Sequence, residues 1–296
     1  MSKKTSNPTQ SLKIPKLILQ SSKFIAFFST KLVTLFAAKL FTTPIKHKIP
    51  KRELEMDSKS KQDLIEISSI NKKVVLYQYG KSSKKILLVH GWSGRGTQLF
   101  KIADELVKAG YSTISFDAPA HGKSPGKTTI MSDFVETILE IDKQFGPFEA
   151  AVGHSLGGMS SLNAVKKGFK INHLAIIGSG DVVQDILNDF VAKLELKPNI
   201  SSKMREHFEK KYGQEMDSYS GYKSAMEIAI PVLVIHDKND PEVAVTAGIN
   251  IHNHLKNGKL FLTEGLGHRK ILGNHIVIQK VVQFIKEKQL TTKMIF

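Results

Sequence analysis

Cysteine is absent from the 296-residue chain. Its absence excludes a disulfide framework, a thiol nucleophile and cysteine-ligated metal sites, and it leaves the compartment open, because such a chain survives either redox environment. Tryptophan occurs once, at Trp92. Also missing is a run of about 20 uncharged apolar residues, the least a membrane-spanning helix needs. The apolar stretch at residues 14–41 is interrupted near its middle by Lys31. No clear cleavage site separates the long charged lead from the next lysines, so a cleaved signal peptide is not expected. Acidic residues are scarce at one end of the chain. Residues 1–61 hold 13 Lys and Arg against Glu53, Glu55 and Asp57, and the remainder, with 30 basic and 24 acidic residues, carries only +6 of the net +16. A nucleic-acid-binding module would carry its basicity on the folded body, with aromatics or arginines set for bases. That pattern is not visible, and nucleic acid is not an expected partner.

With 41% hydrophobic residues, the chain can bury one large α/β domain plus an appendage. The appendage is expected at residues 1–61 and the folded body at 62–296. Residues 1–13 are polar and lysine-bearing, a composition that favours disorder. Between Ile14 and Phe41, Lys16, Lys23, Lys31 and Lys39 recur every seven or eight residues, which puts them along one side of a helix and leaves a wide apolar face. Such a helix either docks on the protein's own body or lies in an anionic membrane interface through residues 14–41. The expected location is accordingly the cytoplasm, with the inner membrane surface as the alternative. Pro44 and Pro50 end the helix, and residues 51–61 read as an exposed linker or polar helix.

The body opens with a hairpin-like pair at 64–67 and 74–79. Apolar strand runs follow at 85–90, 112–116, 148–152, 174–177, 232–235 and 260–263, separated by helix patterns that include 99–107, 134–145 and 277–285. This alternation implies a mainly parallel sheet covered on both faces. Such sheets bind ligands at the carboxyl ends of their strands, where the glycine-rich turns of this chain fall. The charged helical stretch at 181–228 is expected to form a cap.

One of those turns has the G-x-S-x-G form: Gly153-His154-Ser155-Leu156-Gly157, with Phe148 to Val152 in front. A serine at the apex of so sharp a strand-to-helix turn takes a strained conformation, and the flanking glycines lack the Cβ atoms that would collide there. A serine hydroxyl is a weak nucleophile and needs a base that is itself oriented by an acid. Both residue types follow late strands: His236-Asp237-Lys238-Asn239-Asp240-Pro241 after 232–235, and Glu264-Gly265-Leu266-Gly267-His268 after 260–263.

Together with His90-Gly91-Trp92 and Asp117-Ala118-Pro119-Ala120-His121-Gly122-Lys123-Ser124, these motifs resemble the α/β-hydrolase superfamily over roughly residues 70–290, particularly its esterase, lipase-like and thioesterase members. Phe41-Thr42-Thr43-Pro44 with His90 to Gly96 looks like a poorly characterised bacterial branch of it. The resemblance implies an α/β-hydrolase fold, with a mainly parallel, eight-stranded-type sheet, helices on both faces and a small helical cap. It implies Ser155 as nucleophile, His268 as general base and then acid, and Asp240 as the residue orienting the imidazole, with Asp237 the rival acid and Asp181 a lesser one. The oxyanion hole would come from the backbone N–H groups of Trp92 and Leu156. Neither metal nor organic cofactor is required for acyl transfer from an ester or thioester to water. Serine at the elbow excludes the dehalogenase branch, while peptidase and haloperoxidase chemistry stay open, as does a catalytically silent binding or membrane-surface module.

Other features have plainer readings. Gly91 to Thr97 sits like a phosphate-binding loop but lacks its lysine. Asp117, His121 and Ser124 read as a structural turn, and His154 as packing beneath the elbow. His252 and His254 belong on a solvated helix. Arg95 is expected in solvent or facing an anionic substrate.

Overall fold

The computed structural model describes residues 14–287, so the disorder expected for residues 1–13 lies outside the described residues. Eight strands, β1 (Lys61–Ile67), β2 (Lys72–Tyr79), β3 (Lys85–Val89), β4 (Ser112–Asp117), β5 (Ala150–His154), β6 (His173–Ile177), β7 (Val232–Asp237) and β8 (Gly258–Thr263), form one sheet in the order β1-β2-β4-β3-β5-β6-β7-β8. The first two pairings are antiparallel and the rest parallel. The apolar runs are continuous because both faces are buried. On β3, Leu87 and Val89 enter the core on one side, Ile86 and Leu88 that on the other.

The twelve α-helices among the described residues are α1 (Lys16–Phe28), α2 (Thr30–Phe41), α3 (Leu54–Lys59), α4 (Phe100–Lys108), α5 (Met131–Phe145), α6 (Leu156–Lys166), α7 (Val183–Lys193), α8 (Asn199–Tyr212), α9 (Gly221–Glu227), α10 (Val245–His254), α11 (Gly267–Lys270) and α12 (His275–Lys286). Phe134 and Ile138 of α5, Leu162 of α6, Ala225 of α9 and Ile251 of α10 pack on one face of the sheet. Met56 of α3, Ile102 and Leu106 of α4, and Val277 and Val281 of α12 pack on the other.

A third core lies away from the sheet and takes in part of the N-terminal helices. Val33, Ala37 and Ala38 of α2 are buried with Leu187 and Val191 of α7 and Ile200, Met204 and Phe208 of α8. The described part of the N-terminal stretch thus docks on the protein's own body, one of the two readings of its apolar face. The single helix expected over 14–41 is two, broken at Ser29, whose extended backbone and side chain cap α2 by accepting from the Leu32 N–H. α1 is pinned as well: the buried Ser22 hydroxyl reaches the Leu194 carbonyl, 172 residues away. For 51–61 the polar-helix reading holds, with α3 at Leu54–Lys59 docked through one side chain. Met56 belongs to the sheet core, and the buried Glu53 accepts from Thr97 Oγ1 at 2.9 Å beside the Arg95 guanidinium at 3.6 Å. Arg95, expected in solvent or facing an anionic substrate, is instead buried against Glu53 and also donates to the His47 carbonyl.

Candidate active site

The turn after β5 has the predicted shape. Ser155 stands between β5 and α6 with φ 53° and ψ −121°, a conformation that costs a non-glycine residue about 1–3 kcal/mol and holds only where the surroundings impose it. They do so by contact. A Cβ on Gly153 would stand 2.5 Å from the Gly157 carbonyl oxygen, and one on Gly157 would stand 2.3 Å from the Val89 carbonyl oxygen, distances that real Cβ atoms do not show. The Ser155 N–H is tied to the Ile177 carbonyl at 2.9 Å. Ser155 Oγ makes no hydrogen bond among the described residues. In hydrolytic sites the bond between hydroxyl and base tightens when substrate closes around it.

Facing this turn are the ends of β7 and β8. Asp240, buried, accepts His268 Nδ1–H at Oδ2 (2.7 Å) and the N–H groups of Glu242 and Val243 at Oδ1 (2.8 and 2.9 Å). Burial pushes its pKa up, but the His268 hydrogen bond and charge and the two N–H groups outweigh it and hold the carboxyl below its usual range. With Nδ1–H committed to Asp240, the lone pair of the neutral ring lies on Nε2, the nitrogen available to accept a proton.

Asp237 does something else. It accepts from Thr263 Oγ1 (2.7 Å), the Leu266 N–H (3.0 Å) and the Asn239 N–H (3.0 Å). Burial is again outweighed by these bonds and by the Gly267 N–H, so its pKa is lowered. Asp237 thus fastens the end of β7 to the turn that delivers His268, and it makes no hydrogen bond to the imidazole. Asp181 is farther still, accepting from the Tyr222 N–H and the Asn250 amide where the cap joins the sheet.

The loop after β3 closes the third side. A Cβ on Gly91 would stand 2.9 Å from Ser155 Cβ, so this loop lies against the elbow. Gly91, Ser93 and Gly94 donate to Gln98 Oε1, His121 Nε2 and the Gly91 carbonyl. Among the described residues the N–H groups of Trp92 and Leu156 have no acceptor. For Leu156, the first residue of α6, that follows from helix geometry. The Trp92 ring stacks on Phe41 from α2 (6.5 Å), and Phe41 meets Phe190 of α7 and Phe208 of α8 (5.1 and 5.9 Å).

Several supports were invisible in the sequence. His154 lies beneath the elbow as expected, but its Nε2–H donates to the His268 carbonyl (2.9 Å), and the two rings lie 4.7 Å apart. His121 accepts the Ser93 N–H (3.0 Å), and His90 Nε2 accepts the Ala118 N–H (3.0 Å), so neutral imidazoles shape the Trp92 turn. Asp117 and Ser124 bind backbone, as a structural turn would: Asp117 accepts from the Gly96 and Lys123 N–H groups and Tyr77, and Ser124 Oγ from Val75 N–H. Glu242, held by Arg269 at 3.1 Å, comes within 4.0 Å of His268 Nε2. Only its place two residues after Asp240 hinted at that. His252 and His254 end α10, where His254 Nδ1–H donates to the Asn250 carbonyl.

Burial lowers the pKa of His90, His121, His154 and His236, that of His121 to about 4 from 6.5. Each takes up a proton more readily when unfolded. Their stabilisation is therefore complete above pH 6.5 and lost as pH falls toward the depressed values. Buried Asp117 and Asp181, whose pKa values are raised, act in the opposite sense above 3.8. The histidines dominate the upper part of the window, and thermal unfolding at pH 5 is expected at least about 5 °C below that at pH 7. A midpoint unchanged between those values would contradict neutral, buried imidazoles.

In comparisons with known proteins, the model of the Alpha/beta hydrolase family matches residues 86–229, and that of the TAP-like protein family matches residues 210–293. No curated protein matches the sequence. Among solved structures, the esterase Pf2001 of Pyrococcus furiosus is 18% identical with a TM-score of 0.62, covering 83% of this chain and 98% of its own. The esterase EaEST of Exiguobacterium antarcticum is 16% identical (TM-score 0.61; 77% and 100% covered), and the bromoperoxidase of Bacillus anthracis 17% identical (0.60; 77% and 100%). At such identities the likeness is one of fold. Since the two family matches run between them from β3 to beyond α12 and take in both the elbow and the His268 turn, the chain belongs to the α/β-hydrolase superfamily.

Proposed function

We propose that this protein is a serine hydrolase that cleaves a carboxylic ester or thioester through an acyl-enzyme. The observation that carries the reading is the buried 2.7 Å Asp240–His268 contact beside an elbow that holds Ser155 at positive φ. Two esterases among the structural neighbours agree with it; the bromoperoxidase among them shows that fold alone does not choose the reaction.

In the acylation step, Ser155 Oγ attacks the carbonyl carbon while its proton passes to His268 Nε2. Asp240 holds the ring in the required tautomer and stabilises the imidazolium. The carbonyl π electrons move onto oxygen, and the unpartnered Trp92 and Leu156 N–H groups are the donors for that oxyanion. Such a donor contributes about 3–4 kcal/mol to the transition state in well-studied hydrolases. Collapse breaks the bond to the leaving oxygen or sulfur, which takes the proton from Nε2. Water then repeats the sequence on the acyl-serine, releasing the acid and returning the proton to Ser155. The half-buried rings of Trp92, Phe41 and Phe190, backed by the buried Phe208, form an aromatic patch beside the elbow that suits an apolar acyl chain.

A fluorophosphonate probe tests this directly. The reagent is expected to add a single phosphonyl group, mapped by mass spectrometry to Ser155. Absence of labelling, or labelling elsewhere, would leave the silent binding module as the better reading.

A further inference from the structure

The third core buries only one side of the N-terminal helices. Ile18 and Ile25 of α1, with Ile14 just before it, turn toward α7 and α8, while Leu17, Phe24 and Phe28 form a second stripe facing out, with Phe27 beside it. These four are 74%, 68%, 67% and 84% exposed, and Leu32 of α2 is 57% exposed. Phe28 packs edge-to-face with both Phe24 and Phe27 (5.0 and 5.1 Å), so the exposed rings form one surface. A cluster of this kind marks an interaction site.

Charge selects the occupant. The sequence holds no Asp or Glu before Glu53, against eleven Lys and Arg, and Lys16, Lys31 and Lys39 are exposed on the same two helices. A second copy docking through this face would oppose lysine to lysine around the aromatic centre, which is unfavourable in a two-fold interface. An anionic lipid surface satisfies both halves: phenyl rings enter the headgroup and acyl boundary, and the ammonium groups meet lipid phosphates. No helix among the described residues is long and apolar enough to cross a membrane.

We infer that α1 and α2 are a docking surface for an anionic bilayer, and that the substrate of Ser155 is an ester of a membrane lipid. The second half rests on the serine-hydrolase reading; the first does not. The link between them is Phe41. It ends α2, packs on Trp92 beside the elbow, and is followed by Ile45, whose N–H donates to Ser93 Oγ at 3.0 Å. A bilayer that seats the helix pair therefore lies against the element that walls the approach to Ser155.

The test is co-sedimentation of the full-length protein with phosphatidylcholine vesicles with and without phosphatidylglycerol. Binding is expected only with phosphatidylglycerol, and weaker at about 0.5 M salt, where the screening length shrinks to a few ångströms. Phe24→Ser/Phe27→Ser/Phe28→Ser should lower partitioning by about 100-fold or more with an unchanged thermal midpoint, because none of the three rings is buried. Lys31→Glu/Lys39→Glu should lower it by about 20-fold or more. Ser155→Ala should bind as wild type does, so failure of the hydrolase reading would appear as unlabelled Ser155 with vesicle binding intact. Wild-type protein left in the supernatant with both vesicle types would overturn the inference. So would a triple variant that binds like wild type, or a dimer in light scattering that the triple variant abolishes.

Discussion

Ser155→Ala is expected to lower kcat/KM toward p-nitrophenyl esters by about a millionfold, and adding His268→Ala should cost no more than a few-fold further. The near-absence of a second loss is the informative part. Ser155 and His268 act in one step: without the hydroxyl there is no proton for Nε2 to accept, and without Nε2 the hydroxyl stays a weak nucleophile. Each single substitution thus removes the same contribution. What survives should come from substrate binding and from the Trp92 and Leu156 N–H groups, which neither substitution touches. Losses that multiply would mean that the two residues act independently, and a nucleophile–base pair could not be maintained.

The second large effect separates two aspartates three residues apart. Asp240→Asn should lower turnover by about 10⁴-fold, because an amide at that place cannot accept Nδ1–H in the same manner, and the ring is then free to take the tautomer with its proton on Nε2. Asp237→Asn should behave as a stability variant. Its carboxylate accepts from Thr263 and from the Asn239 and Leu266 N–H groups, and an amide nitrogen in place of one oxygen would face donors it cannot accept from. The expected cost is about 1–3 kcal/mol of folding stability, with a loss of turnover of about tenfold or less at temperatures where the variant stays folded. Thermal melts and steady-state rates on both variants decide the matter. A greater loss of rate for Asp237→Asn than for Asp240→Asn would reverse the assignment.

The sequence was most legible where local sterics or local periodicity left one solution. Val152 to Gly158 allows little other than a sharp strand-to-helix turn, and the apolar runs at 85–90 and 232–235 read directly as strands buried on both faces. Asp237 and Asp240 could both be placed in one turn, but their duties depend on which way each carboxylate points, and that is decided by the turn's hydrogen bonds. The support given by His90, His121 and His154 was illegible for a similar reason, since Nε2 of each ring meets a backbone group from a distant segment. For the N-terminal helices the sequence left two readings open, because amphipathic spacing shows that a face is apolar without showing what covers it. The inner stripe is covered by α7 and α8, more than 140 residues away along the chain, while Leu17, Phe24 and Phe28 stay exposed.

That separation also bears on synthesis. Ser22 and the Leu194 carbonyl it contacts leave the ribosome 172 residues apart, an interval on the order of 10–30 s at ordinary elongation rates. Throughout it, the inner apolar stripe of α1 and α2 is as open as the outer one, because α7 and α8 have not yet been made. A nascent chain in that condition is drawn to whatever apolar surface is nearest, and its lysines favour one of negative charge. On the proposed docking, the helix pair would reach the bilayer before the sheet exists, and the sheet and the cap would assemble against helices already seated.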